Sequence, residues 1–212
     1  MITITISIVL LTAVISFTAF SNEKVMDDLI FYPPSITNRN QWYRFITCGF
    51  IHADIMHLVF NMYSFYLFGD IVEKSFGFIF GESGKMLYVL LYLSALIVSI
   101  LPTYFNHQND YRYRSLGASG AVSAIIFVGI FLYPTLGMGI FPIPFHIPGF
   151  VFGPLYLGIS YYLANKGQGN INHSAHIWGA IYGIIFLIIT SSFLSKMNVF
   201  ENFYNEVFNY LR

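Results

Sequence analysis

Ser119 lies in Gly117-Ala118-Ser119-Gly120 at the mouth of one long apolar run, and His176 opens another, with Gly179 and Gly183 behind it. A serine hydroxyl becomes a useful nucleophile only when a base takes its proton, and a neutral imidazole does that near neutral pH. The pair therefore predicts acyl transfer, with Ser119 attacking a carbonyl and His176 moving the proton. The tetrahedral intermediate of such a reaction carries a negative oxygen that needs preorganised donors. His57 and Asn61 stand four residues apart, on one face of a helix, and can donate from their side chains. The backbone N–H of Ser119 at a helix start is a further donor. Gly117 and Gly120 leave room for a substrate backbone to come close. No carboxylate is evident as a third member; Asp54, three residues before His57, reads as structural.

Composition decides which solvent these residues work in. The chain has 212 residues, 56% hydrophobic and 9% charged, with a mean hydropathy of +0.64. A soluble domain carries about 25% charged residues, so this surface is too poor in charge for water and predicts lipid as its partner. Zero formal net charge argues against nucleic acid as a partner. Cys48 is the single cysteine, so neither an internal disulfide nor a cysteine metal cluster can form, and no cofactor is implied.

About 20 apolar residues make one crossing of the hydrocarbon core, and six runs qualify: 2–20, 51–68, 86–105, 116–133, 149–164 and 175–193. The first lacks the basic start and small-x-small cleavage pattern of a secretory signal, so it reads as a retained helix. The fourth and fifth share a stretch free of Asp, Glu, Lys and Arg, from Ser115 to Asn165. Pro134, Pro142, Pro144 and Pro148, with Gly137, Gly139 and Gly149, break it into a hairpin. Residues 22–49, with Pro33-Pro34 and Trp42-Tyr43-Arg44, form a long connection suited to the headgroup level. The fold predicted is all-α: a polytopic six-helix membrane bundle over residues 1–194, then an amphipathic tail, 195–212. In the tail Asn198 and Glu201 form a capping pair. That tail reads equally as an interfacial helix or a packed terminal one.

Helix parity ties the polar residues together. Counting runs, the second, fourth and sixth travel in one direction. His52, Asp54, His57 and Asn61, then Ser119, then His173 and His176, all sit near the start of those three. They therefore converge at one depth, where polar groups are costly and normally kept for a purpose. His176, Gly179 and Gly183 share a face, and the GxxxG they include allows close backbone approach to a neighbour. The helix of Ser119, rich in small residues, is the expected neighbour.

Together these motifs resemble the rhomboid intramembrane serine proteases. The match rests on Gly117-Ala118-Ser119-Gly120, on Ala175-His176 with Gly179 and Gly183, and on His52, His57 and Asn61 in His-x4-His-x3-Asn spacing. Trp42-Tyr43-Arg44 resembles the family's Trp-Arg signature, and Glu73 the Glu that follows its second helix. The resemblance implies a Ser119–His176 dyad, with His57, Asn61 and Gly117 at the oxyanion and His52, Gly120, Gly179, Gly183, Arg44 and Glu73 as support. It also implies single-span membrane-protein substrates cut near the outer end of their helix, and a multi-pass protein of the cell membrane, of bacterial plasma-membrane type. Four residues after the nucleophile many members carry an aromatic that packs on the histidine. Here that position is Ser123, which leaves the place to Trp178 or a tyrosine.

The competing class is a non-enzymatic membrane protein with a metal-binding or transport site, because His52, His57, His173 and His176 converge and imidazole is a common ligand. Against it, no run carries the paired carboxylates of an ion path, and Ser119 would be idle.

Overall fold

The computed structural model describes residues 2–139, 146–166 and 172–212, and helices dominate them. α1 (Ile4–Phe20) is followed by three short helices, α2 (Glu23–Leu29), α3 (Pro33–Arg39) and α4 (Arg44–Thr47). Then come α5 (Ile55–Phe80), α6 (Gly84–Val98), α7 (Leu101–His107), α8 (Ser119–Leu132), α9 (Gly149–Lys166), α10 (His173–Leu194) and α11 (Val199–Leu211). All six apolar runs fall on helices. The helical stretches Ile55–His107 and His173–Leu194 are long and apolar enough to cross a membrane, while α1 and α8 are shorter apolar helices.

α8 is the axis of the bundle. Eleven of its residues, from Gly120 to Leu132, are buried, which its lack of any charge permits. α10 packs against it along the predicted seam. A Cβ placed on Gly179 would run into the carbonyl oxygen of Gly120, and one on Gly183 into that of Ala124. Only glycine allows the two backbones to come this close. Gly179→Ala is therefore expected to push α10 off α8 and cost about 1–3 kcal/mol, the usual penalty of overpacking. Thermal unfolding in detergent measures this, and an unchanged midpoint would mean that the seam is slack.

Several boundaries differ from the sequence reading, each for an identifiable reason. α5 continues to Phe80, so Glu73 lies inside the second helix and not after it. Its charge does not end the helix because it is satisfied across the bundle. Oε1 accepts the N–H of Ile4 at 2.9 Å, and Oε2 accepts the N–H and hydroxyl of Thr5 at 2.8 and 2.7 Å. The carboxylate thus sits at the positive end of α1, where the first N–H groups have no partner in their own helix. The third run is broken between α6 and α7 by Pro102, which has no N–H to continue the ladder. The hairpin between α8 and α9 adds a small departure from all-α. β1 (Gly137–Met138) pairs antiparallel with β2 (Ile147–Pro148). Pro142 and Pro144, two of its expected breakers, lie outside the described residues.

The connection 22–49 is folded, with α2, α3 and α4 inside it. Phe31, Ile36, Phe45 and Cys48 are buried together with Ile100 and Tyr104, a small core apart from the main one. Arg44 is its tie. Its guanidinium donates to the carbonyls of Asp27 and Ile30, both at 2.7 Å, and to Gln41 Oε1 at 2.6 Å. At the far end, Asn198 caps α11 by accepting the N–H of Glu201 at 3.2 Å. Phe131 at the end of α8 stacks on Phe203, and Asn202 donates to the Leu132 carbonyl at 3.1 Å. The tail thus packs its first turns on the end of α8 and exposes Phe200, Tyr204 and Phe208.

Candidate active site

Ser119 is placed by the way the chain enters α8. Ser115 forms a two-way backbone bridge with Phe31, the N–H···O distances being 3.0 and 3.1 Å. Gly117 then donates its N–H to the Cys48 carbonyl at 2.8 Å. Gly117 has φ +108°, in the region L side chains avoid, and a Cβ there would stand 2.8 Å from Cε1 of His57. Glycine is required on both counts. The turn delivers Ser119 as the first helical residue. The preceding Ala118 provides no side-chain cap, so no capping side chain occupies the first N–H groups of α8.

His176 is placed from the opposite side. Asn172 caps α10 by accepting the Ala175 N–H at 3.0 Å, and its own amide donates to Thr103 Oγ1 at 3.0 Å and to Tyr113 Oη at 3.3 Å. The cap locks the start of α10 to α7, which fixes the depth of His176 one turn later. Among the described residues, Nε2 of His176 is buried without a hydrogen-bond partner, so Ser119 and His176 are not bonded to each other here. Catalytic hydrogen bonds are often long before substrate arrives. The other ring nitrogen, Nδ1, lies 3.0 Å from Oη of Tyr156 on α9.

These side chains share one cavity of about 840 Å³, lined among others by Ser119, His176, His57, Asn61, Gly117 and Asn172. Four residues predicted on three separate apolar runs therefore meet. Asp54 caps α5 by accepting the His57 N–H at 2.8 Å, the structural role expected of it. The Ala53 N–H approaches Nδ1 of His57 at 3.4 Å. That contact leaves the proton on Nε2, which lies against Gly117 and can donate. Asn61 spends one amide hydrogen on the His57 carbonyl at 2.9 Å and keeps the other.

His52 is not part of the cavity lining. It is fully buried and engaged at both nitrogens: Nδ1 lies 3.0 Å from Ser16 Oγ, and Nε2 accepts the Ala118 N–H at 3.4 Å. It buttresses the Gly117 turn from behind, with its ring 5.0 Å from that of His57. Ser99 fills the space beside Gly120. Glu73 and Arg44 lie away from the cavity and act on α1 and the first loop. Cys48 lines the cavity, but burial pushes its thiol up to about 12, so it offers no thiolate to compete as nucleophile. Among the described residues, no group of three His, Cys, Asp or Glu side chains is placed to hold a metal ion.

Two contributors escaped the motifs. Asn172 stands beyond the apolar run, and its Asn-x-x-Ala start is the only signal it gives. Tyr156 supplies the ring beside His176, where Trp178 or a tyrosine was expected; Trp178 is 44% exposed. No spacing rule relates Tyr156 to His176, because the two meet only through the packing of α9 on α10.

Comparison with known proteins identifies the family of the chain. The Rhomboid domain family matches residues 39–193, most of the chain. The chain is 34% identical over 152 residues to RHOMBOID-like protein 12, mitochondrial, of Arabidopsis thaliana, covering 66% of this chain and 44% of that protein. It is 28% identical over 169 residues to rhomboid protease GlpG of Haemophilus influenzae, covering 78% of this chain and 80% of that protein. With the putative rhomboid protease YdcA of Bacillus subtilis it shares 32% over 96 residues, covering 45% and 43%. The match thus spans less than half of two of these relatives and most of the third. With its family domain matched across the cavity-bearing helices, this chain belongs to the rhomboid family.

Proposed function

We propose that this protein is a serine endopeptidase working inside a membrane, which cleaves transmembrane segments of other proteins through an acyl-enzyme. The observation that carries the reading is the cavity in which Ser119, His176, His57 and Asn61 meet within an otherwise apolar bundle. Ser119 Oγ attacks the scissile carbonyl while Nε2 of His176 takes its proton. The oxyanion is received by the N–H of Ser119, Nε2–H of His57 and the free amide hydrogen of Asn61. His176 then gives its proton to the leaving amine, and water hydrolyses the ester by the same route in reverse order.

The bilayer reading extends to six crossings, by α1, α5, α6 with α7, α8, α9 and α10, with residues 195–212 as an appended helix. It is supported by the outward face of α10, where Ile181, Ile185 and Ile189 form an exposed stripe four residues apart. On α5, Val59, Phe60 and Tyr63 are likewise exposed, a surface that water does not favour. α8 has 14 residues, about 21 Å at 1.5 Å per residue, shorter than a hydrocarbon core of about 30 Å. Ser119 at its first turn then lies below the membrane surface. Substrates of this reading are single-span proteins with small residues near the cut. A bacterial plasma membrane is the setting proposed, although the similar proteins include a mitochondrial one.

The test is cleavage of a single-span reporter by purified protein in liposomes. Release of two fragments, unaffected by a chelator, is the expected result. Inhibition by the chelator, reversed by zinc, would overturn the serine reading in favour of a metal-dependent one.

A further inference from the structure

We propose that Tyr156 is the positioning residue of His176: its hydroxyl oxygen accepts the Nδ1–H, fixing the tautomer in which Nε2 is free to take the proton of Ser119. The assignment rests on the Ser119–His176 reading above and adds to it the group that does the work a carboxylate does in a triad.

The geometry argues for a hydrogen bond more than for a stack. Oη lies 3.0 Å from Nδ1, and the rings are near parallel at 19° with centroids 6.2 Å apart. At that separation the rings do not lie face to face, and their contact is hydroxyl to nitrogen at hydrogen-bond distance. Tyr156 Oη also reaches Ser123 Oγ at 3.4 Å. A chain can therefore run from Nδ1–H to Oη and from the phenol hydrogen to Ser123. The opposite polarity, with Tyr156 donating to Nδ1, puts the proton on Nε2. A protonated Nε2 cannot serve as base toward Ser119.

Tyr156 itself is held firmly. Phe127 of α8 and Phe152 one turn earlier on α9 flank its ring, with centroids 5.8 and 5.9 Å away. Ser123 is small enough to let the ring in. A large side chain at that position of α8 would occupy the space Tyr156 uses. The substitution at one helix and the tyrosine at another are thus two halves of one arrangement. When His176 takes the proton, its Nδ1–H···Oη bond becomes charge-assisted and strengthens. The contribution is felt in the reaction and not in substrate binding.

Tyr156→Phe keeps the ring and removes the oxygen, so it separates packing from hydrogen bonding. In liposomes with a single-span reporter, kcat should fall by about 10- to 100-fold, the loss of one charge-assisted hydrogen bond, with KM unchanged. The nitrogen NMR signals of His176, identified by their loss in His176→Ala, should report a protonated Nδ1 in the wild type. In Tyr156→Phe they should move toward a mixture of tautomers. Ser119→Ala run beside them distinguishes the two levels of the argument. If Ser119→Ala is inactive and Tyr156→Phe keeps full kcat, or if the tautomer is unchanged, the Tyr156 assignment is overturned while the dyad stands. If Ser119→Ala remains active, the dyad itself has failed.

Discussion

Ser119→Ala and His176→Ala should each lower cleavage of a transmembrane reporter by at least about 10⁴-fold, and the double variant should be little worse than either. The two act as one unit: the serine is inert without its base, and the base has nothing to activate without the serine. Both variants should fold. Ser119 lies at the start of α8 and is only partly buried. Nε2 of His176 has no hydrogen bond to lose, and at Nδ1 the loss is the single contact with Tyr156 Oη, which keeps Ser123 within reach. Loss of activity with unchanged thermal unfolding is the expected outcome, measured by fragment release and by melting in detergent. Two single variants that each retain a large part of the activity would show that the chemistry lies elsewhere in the cavity.

His57→Ala and Asn61→Ala should slow turnover by about 10²–10³-fold each, the usual loss for one oxyanion donor, while leaving Ser119 reactive. The structure ranks them. Asn61 already gives one amide hydrogen to the His57 carbonyl, so its removal takes away one donor and a local helix contact. His57 lies against Gly117, packs edge-on to His52 and would leave a void beside the turn that delivers Ser119. His57→Ala should therefore be the more damaging, in rate and in stability. A steady-state comparison of kcat with unfolding temperature checks this ranking. Full turnover in both would mean that this polar stripe only supports the helix.

The part of this arrangement legible in the sequence is the part that repeats along a helix. His57 and Asn61 share a face because they are four apart, and Gly179 and Gly183 announce a close seam because small residues four apart have few other uses in an apolar helix. The helix parity of Ser119, His57 and His176 then brings them together, and one cavity receives all three. What periodicity does not carry is contact between elements. The resemblance puts Glu73 after the second helix, but it lies inside α5, and its partners are the first N–H groups of α1, nearly seventy positions earlier by the numbering of Ile4 and Thr5. Residues 22–49 read only as a long connection because α2, α3 and α4 are too short to develop an amphipathic pattern. Ser123 announced a missing ring, but nothing in the chain pointed to Tyr156 as its source.

Spacing and parity proposed a nucleophile, a base and two donors, and the family domain covers the helices that carry them. The support residues sort by what they touch. Glu73 holds α1, Arg44 holds the first loop, His52 backs the Gly117 turn, and Gly120, Gly179 and Gly183 set the distance between α8 and α10. Substitutions at the first two should act mainly on stability, and those at the others on stability and rate together.

The central claim is that His176 activates Ser119, and covalent labelling addresses it without knowledge of the natural substrate. Purified protein is treated with a fluorophosphonate, digested, and the site of the adduct read by mass spectrometry. The account predicts one adduct, on Ser119, formed in the wild type and nearly absent in His176→Ala. An adduct on another residue, or labelling of Ser119 at an undiminished rate in His176→Ala, would contradict it.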